Sequence, residues 1–212
     1  IISDGIEVVS SLENVDYDVH MALLDTPFAL KITTDSIPYK NGYLEVDEDK
    51  IKTYAQKYLK ESPNLKVGIA YHGDKNANYN GRDIDFVRFK TLLNLGNVDF
   101  YSLQCDTEEE EGIINLGKTF NDFTDTACAI KNMDIVISTD NVILNLSGAL
   151  GVKTFGMFNR YTNFRWYKTS GSNVGWYDSV EPIQVEENNC WSDVFSSIVN
   201  KLSKYTALTA NK

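Results

Sequence analysis

From about residue 46 onward, short apolar runs alternate with segments whose apolar positions recur every three or four residues. The first pattern reads as buried strand, the second as amphipathic helix. Ile51, Tyr54, Ala55, Tyr58 and Leu59 share one face of a helix predicted over 47–60, and Pro63 follows as a stop signal. Residues 66–71 (KVGIAY) predict a strand, 83–94 a helix with Phe86, Phe89, Leu92 and Leu93 inward, and 98–103 (VDFYSL) a second strand. A helix over 122–132, a strand over 134–138 (DIVIS), a helix over 141–150 ending at Gly151 and a strand over 152–158 continue the alternation. A loop with four aromatics, a short strand at 183–185 and a helix over 191–202 complete it.

Strands that alternate with helices in this way make βαβ units and a parallel sheet. The strands are near-continuous apolar runs, as expected where helices cover both faces. The pattern predicts an α/β fold over residues 46–212: a doubly wound, Rossmann-like parallel sheet. Residues 1–45 lack a clean period. Gly5 to Val9 suggests a strand, and Pro38 to Gly42 suggests a turn, so this stretch reads as the end of something else.

Composition narrows the function classes. The 212 residues carry 20 Lys and Arg against 30 Asp and Glu, a net charge of −10, which argues against a nucleic-acid partner. No apolar stretch approaches the ~18–20 residues of a transmembrane segment, and no secretory leader is visible. The chain starts at Ile1 rather than Met, so it is expected to be a piece of a longer protein. Cys105, Cys128 and Cys190 are odd in number and far apart, which excludes a disulfide scaffold and a CxxC zinc site and suits a reducing, cytoplasmic setting.

In an open parallel sheet, ligands bind beyond the carboxyl ends of the strands. Those ends are His72-Gly73-Asp74, Gln104-Cys105-Asp106, Thr139-Asp140-Asn141 and Asn159-Arg160. The junction at 138–141 runs straight from strand into helix. Asp140 or Thr139 is expected to cap that helix, with the remaining N–H groups and the positive end of the dipole facing the cleft as an anion site. A plain capped helix is the alternative. The DxD patterns at 16–18 and 83–85 match metal-dependent sugar transfer, but Asp83 and Asp85 fall in a first helical turn, where they favour the dipole instead. GxGxxG, GxxxxGK[ST] and GxSxG are absent. Cys105 has no histidine placed by the sequence to activate it and reads as an idle thiol.

An ordered set of segments resembles heptosyltransferase-like glycosyltransferases, in particular the subgroup often fused to tetratricopeptide repeats. These are DFTDTACAIKNMDIVISTD at 122–140 with LSGALG at 146–151, KVGIAYHG at 66–73, YSLQ at 101–104, FRW at 164–166 and GWYDS at 175–179. The resemblance implies a GT-B fold, with residues 46–212 as its C-terminal, nucleotide-sugar-binding domain. Residues 1–45 would be the remnant of the acceptor-side domain and the interdomain connection, and the catalytic base would lie in the part of that domain outside this chain. It implies an inverting transfer from a nucleotide-diphosphate sugar to an unspecified acceptor, without metal or other cofactor. Carried over by position, Asp140 would contact a sugar hydroxyl or hold the loop, and the N–H groups of Asn141 and Val142 would cradle the diphosphate. Arg82 would neutralise a phosphate, Gly73 would allow close approach, Gln104 would lie near the base or ribose, and Arg165 would be a second cation. The family's DTxxxH becomes Asp140 to Asn145 here, so an amide at Asn145 replaces a side chain able to carry charge. A degenerate, non-catalytic GT-B module is the alternative, and a nucleotide-sugar epimerase a third reading.

Overall fold

The computed structural model describes residues 9–11, 13, 15–73, 82–106, 110–160, 162, 166, 175–185 and 190–209. The chain divides into two units, Ile1–Ile37 and Pro38–Lys212. In the first, a 3₁₀ turn at Leu23–Asp25 runs into a single helical turn, α1 (Thr26–Ala29), with Pro27 in its first turn. Leu23, Leu24 and Phe28 are largely exposed there. The strand suggested at 5–9 lies mostly outside the described residues.

The second unit is the predicted α/β layer structure. Its elements are α2 (Glu48–Tyr58), β1 (Leu65–Ala70), α3 (Lys90–Leu93), β2 (Val98–Ser102), β3 (Ile114–Asn115), α4 (Phe123–Lys131), β4 (Ile135–Thr139), α5 (Val142–Ala149), β5 (Thr154–Phe158), β6 (Val180–Gln184) and α6 (Trp191–Thr209). The strands form one parallel sheet in the order β3-β2-β1-β4-β5-β6, the doubly wound order, whose direction of progression reverses between β1 and β4.

The two faces of the sheet explain the apolar strand sequences. Leu65, Val67 and Ile69 of β1, with Ile135 and Ile137 of β4, pack under Phe89 and Leu92 and under Val194, Phe195, Ile198 and Leu202 of α6. The alternate residues Ala70 and Val136 face Tyr54 of α2 and Ala127 to Ile130 of α4. Each large apolar side chain buried in this way contributes about 1.5–3 kcal/mol relative to an exposed one.

Several boundaries differ from the pattern-based expectation, each for a local reason. The helix expected over 83–94 begins only at Phe86, as a 3₁₀ helix over Phe86–Phe89 followed by α3. Asp85 caps it by accepting from the N–H of Val87, while Arg82 and Asp83 are drawn toward the sheet edge. The last helix runs to Thr209 because its inward positions continue to Tyr205, which meets the edge of Phe155 at 6.3 Å. The two-residue β3 is too short to carry a period.

The second unit begins at Pro38. The N–H groups of Tyr43 and Leu44 both donate to the carbonyl of Ala149, closing the C-terminus of α5. That helix ends in a Schellman arrangement, Val152 N–H to Ser147 O and Gly151 N–H to Gly148 O, with Gly151 at φ +70°. Gly42, at φ +105°, lies against Gly151 closely enough that a Cβ there would meet backbone at 2.9 Å. Among the described residues, no helix is long and apolar enough to cross a membrane.

Candidate functional site

The carboxyl ends of β1 and β2 are clasped by one side chain. Gln104 Oε1 accepts from the N–H groups of Tyr71 (3.1 Å) and His72 (3.3 Å), while its Nε2 donates to Asp106 Oδ1 (3.2 Å). A buried amide must find partners for both its ends, and Gln104 meets this by joining the two loops. Its buried side chain is thereby engaged with protein where the resemblance put the base or ribose. His72 Nε2 lies 3.4 Å from Asp106 Oδ1, and its Nδ1 lies 3.0 Å from the carbonyl of Gly73.

The end of β4 is organised by Asn141. The sequence pointed to Asp140 or Thr139 as the cap of α5, but Asn141 holds that position. Its Oδ1 accepts from the N–H groups of Ile143 (2.9 Å) and Leu144 (3.2 Å) and from Ser138 Oγ (3.0 Å). Its Nδ2 donates to the carbonyl of His72 and to Thr139 Oγ1. Two donors at the helix end are therefore engaged by the cap, and Val142 stands at the first helical position, where its N–H points out of the helix. Asn145 turns its amide back to donate to the carbonyl of Asn141 (3.0 Å). Asp140 is held from the other side, because the indole Nε1 of Trp166 donates to its Oδ1 at 3.1 Å.

Arg82 reaches across from the segment before the 3₁₀ helix. Its guanidinium donates to the carbonyl of Asp140 (3.3 Å) and pairs with Asp83 (3.6 Å), whose Oδ1 accepts from the N–H of Gly73 (3.0 Å). The guanidinium lies directly over Gly73, where any Cβ would collide with it. A side chain at position 73 would therefore have to push Arg82 aside.

Together these groups border a cavity of about 470 Å³ at the ends of β1, β2 and β4, the point where the strand order reverses. Gly73, Arg82, Gln104, Asn141 and Val142 line it, as does Cys105. Burial, with Asp106 beside it, pushes the Cys105 thiol up, so it is not primed as a nucleophile. Asp140 and Asn145 stand next to these residues along the chain, and Arg165 lies outside the described residues.

His72, Asp83, Asp106 and Trp166 enter the arrangement although none was a candidate site residue. His72 and Asp106 belong to the strand-end segments, Asp83 to the DxD pattern at 83–85 and Trp166 to the FRW segment. Gly117 is a further hidden contributor, since a Cβ there would strike the backbone carbonyl of Gln104. Among the described residues, the cavity lining brings together the guanidinium of Arg82, the imidazole of His72 and the carboxylate of Asp106, with Val142 of α5 beside them. The guanidinium is the group there suited to an anionic ligand.

No family model matches the chain. It is 26% identical over 213 residues to Protein FlbA of Caulobacter vibrioides, an alignment that covers 92% of this chain and 35% of that protein. The chain therefore spans about a third of the curated relative it matches. Among solved structures it is similar to ADP-heptose LPS heptosyltransferase II of E. coli, with a TM-score of 0.50 and 9% identity, covering 68% of this chain and 45% of that one. A glycosyl transferase family 9 protein from Veillonella parvula gives a TM-score of 0.49 and 12% identity over 74% of this chain and 46% of its own. The chain has the Rossmann-like α/β fold found in heptosyltransferase-like GT-B glycosyltransferases.

Proposed function

We propose that this chain is the donor-binding part of a glycosyltransferase that takes a sugar from a nucleotide-diphosphate donor. The observation that carries the reading is the cavity at the β1/β4 switch point, which Arg82 and Val142, the first residue of α5, both line. A diphosphate leaving group develops negative charge as the glycosidic bond to it breaks, and fixed cations and N–H dipoles stabilise that charge without a metal. Arg82 neutralises a phosphate, Gly73 keeps the wall thin where the donor passes, and the N–H groups of Asn141 and Val142 approach the diphosphate. Gln104 acts by holding the β1 and β2 loops together. Asp140, fixed by Trp166, meets the transferred sugar, with Asn145 behind it and Arg165 as a second cation.

In this reading the transfer is inverting and metal-independent, and the base that activates the acceptor belongs to the acceptor-side domain. Residues 1–45 are the end of that domain and its connection, and residues 46–212 are the donor domain. The protein works in the cytoplasm, as its cysteines suit. The resemblance to the tetratricopeptide-fused subgroup suggests helical repeats elsewhere in the full protein. A second reading, a binding module without catalysis, is favoured by one observation: Asn141 already engages two helix N–H groups that an anion would otherwise use.

Thermal unfolding of the full-length protein with UDP-, GDP- and ADP-sugars tests donor binding. At a free ligand concentration ~100 times the dissociation constant, binding stabilises the fold by about 2.7 kcal/mol. A shift with one nucleotide class supports the proposal, and no shift with any of the three contradicts it. Turnover of the bound donor then separates the enzyme from the binding module.

A further inference from the structure

A row of aromatic side chains runs along α5 away from Asp140. The indole of Trp166, which donates to Asp140 Oδ1 at 3.1 Å, is buried. Its ring meets that of Phe158 at 5.0 Å and that of Tyr177 at 6.3 Å, both tilted. Leu144 of α5 belongs to the same apolar cluster, with Tyr177 packed against it. Gly148 follows one helical turn later on the same face. A Cβ there would strike the Tyr177 ring. The row thus follows one face of α5 from its first turn toward its C-terminus.

Tyr177 is anchored through its backbone neighbours. The N–H of Asp178 donates to the carbonyl of Lys40 at 2.9 Å, and the N–H of Val180, where β6 begins, donates to the carbonyl of Tyr177 at 3.2 Å. The ring of Tyr43 stacks with it at 6.4 Å and 28°, the two hydroxyls 3.5 Å apart. Glycine weakens a helix interior relative to alanine, and at position 148 it makes room for this ring. A buried indole N–H needs an acceptor, so a ring held in this place also holds the carboxylate that accepts from it. An ionised carboxylate accepts through two oxygens, so the bond from Trp166 leaves Asp140 capacity for a sugar hydroxyl.

We infer that Tyr177 is a positioning residue for the donor sugar: seated on Gly148, its ring backs the indole of Trp166 and thereby sets the carboxylate of Asp140. This rests on the donor-site reading above, in which Asp140 meets the transferred sugar. Tyr177 itself touches no ligand. Hydrogen bonds weaken steeply with misalignment, so a carboxylate released from its orientation loses its bond to the sugar. The contacts that Arg82 and Val142 make to the diphosphate do not pass through the row. The effect of Tyr177 therefore falls on the sugar and spares the nucleotide.

The test is calorimetric titration of the full-length protein with UDP-glucose, GDP-mannose and ADP-glucose, each paired with UDP, GDP or ADP alone. The readout is the ratio of nucleotide-sugar affinity to nucleoside-diphosphate affinity. In Tyr177→Leu this ratio is expected to fall several-fold, with nucleoside-diphosphate affinity unchanged, which also shows that the variant is folded. Tyr177→Phe keeps the ring and is expected to keep the wild-type ratio. Trp166→Phe, which removes the N–H but keeps a ring, should lower the ratio at least as far, and adding Tyr177→Leu to it should lower it no further. Gly148→Ala lifts the Tyr177 ring without altering any aromatic side chain; it should lower the ratio too, and it decides the matter if Tyr177→Leu does not fold. A wild-type ratio in the deciding variant, with or without a common loss of both affinities, overturns the inference and leaves the donor site standing. Failure of the wild type to bind any of the three nucleotide sugars overturns both.

Discussion

The side-chain amide of Asn141 donates to the backbone carbonyl of His72 across 3.2 Å, tying the end of β4 to the end of β1. The same side chain caps α5 through its oxygen. One residue therefore sets both the gap between the central strands and the start of the helix that faces the cavity. Asn141→Ala removes the cap, worth typically ~1 kcal/mol, and leaves the half-buried carbonyl of His72 without that donor, a further ~1–3 kcal/mol. Urea denaturation is expected to show a combined loss of about 2–4 kcal/mol. Asn141→Asp, which keeps the cap oxygen but not the amide donor, should lose less.

Gly73 and Arg82 form a matched pair. The atom that would clash with a Cβ at position 73 is the far end of a flexible side chain, so the fold can absorb Gly73→Ala by moving Arg82 aside. The expected outcome is a protein whose melting temperature is close to wild type but whose nucleotide-sugar affinity drops as in Arg82→Ala. Melting curves and binding isotherms on the same preparations check this.

Gly117 behaves differently, because the atom it would strike is the backbone carbonyl of Gln104. Backbone cannot swing away as a guanidinium does. Overpacking of this kind costs typically ~1–3 kcal/mol, so Gly117→Ala is expected to destabilise the protein by at least that much and to disturb the Gln104 clasp. Chemical denaturation, with amide-resolved NMR of Tyr71 and His72, reads both effects.

Glu181 on β6 gives a pH prediction remote from the cavity. Burial raises its pKa, but hydrogen bonds and charge from Lys201 (2.6 Å) and Lys153 (2.9 Å) outweigh burial and hold the carboxyl below its ordinary value of 4.5. A carboxylate lowered in the folded state adds stability at pH values above its unfolded pKa, and that stability is lost as pH falls through the folded value. Wild-type stability should therefore decline as pH drops below about 4.5, more steeply than in Glu181→Gln. Denaturation series from pH 6 to pH 3 compare the two slopes.

The three thiols should differ in reactivity. A hydrogen bond with Ser192 lowers the exposed Cys190, whereas burial raises Cys105 and Cys128. Since the thiolate is the nucleophile, iodoacetamide at pH 7.5 should label Cys190 first. Cys105 follows slowly, and Cys128, buried in α4, reacts only on unfolding. Peptide mapping over time gives the order.

The layer structure was legible because a buried parallel sheet requires continuous apolar strands, and covering helices require a three-to-four residue period. Both marks are plain at Val67 and Ile69, at Ile135 to Ile137 and along α6. The strand ends that gather polar residues were legible for the same reason. What stayed hidden depends on contacts between distant residues or on a single backbone angle. Asp140 and Asn141 are equally good caps by residue type, and the choice falls to Asn141 because Trp166, 26 residues on, engages Asp140. The engagement of Gln104 with Tyr71 and His72 crosses more than 30 positions, and no local spacing announces it. The pairing of His72 with Asp106 likewise exists only once β1 and β2 lie side by side.

The account rests on the claim that the cavity beside Arg82 receives a nucleotide diphosphate. Calorimetric titration of the full-length wild type and Arg82→Ala with one nucleotide sugar tests it most directly. A hydrogen bond to a charged partner is worth about 1.5–3 kcal/mol, so the account predicts saturable binding by the wild type and at least ~10-fold weaker binding by the variant. Equal affinity in the two proteins would contradict it.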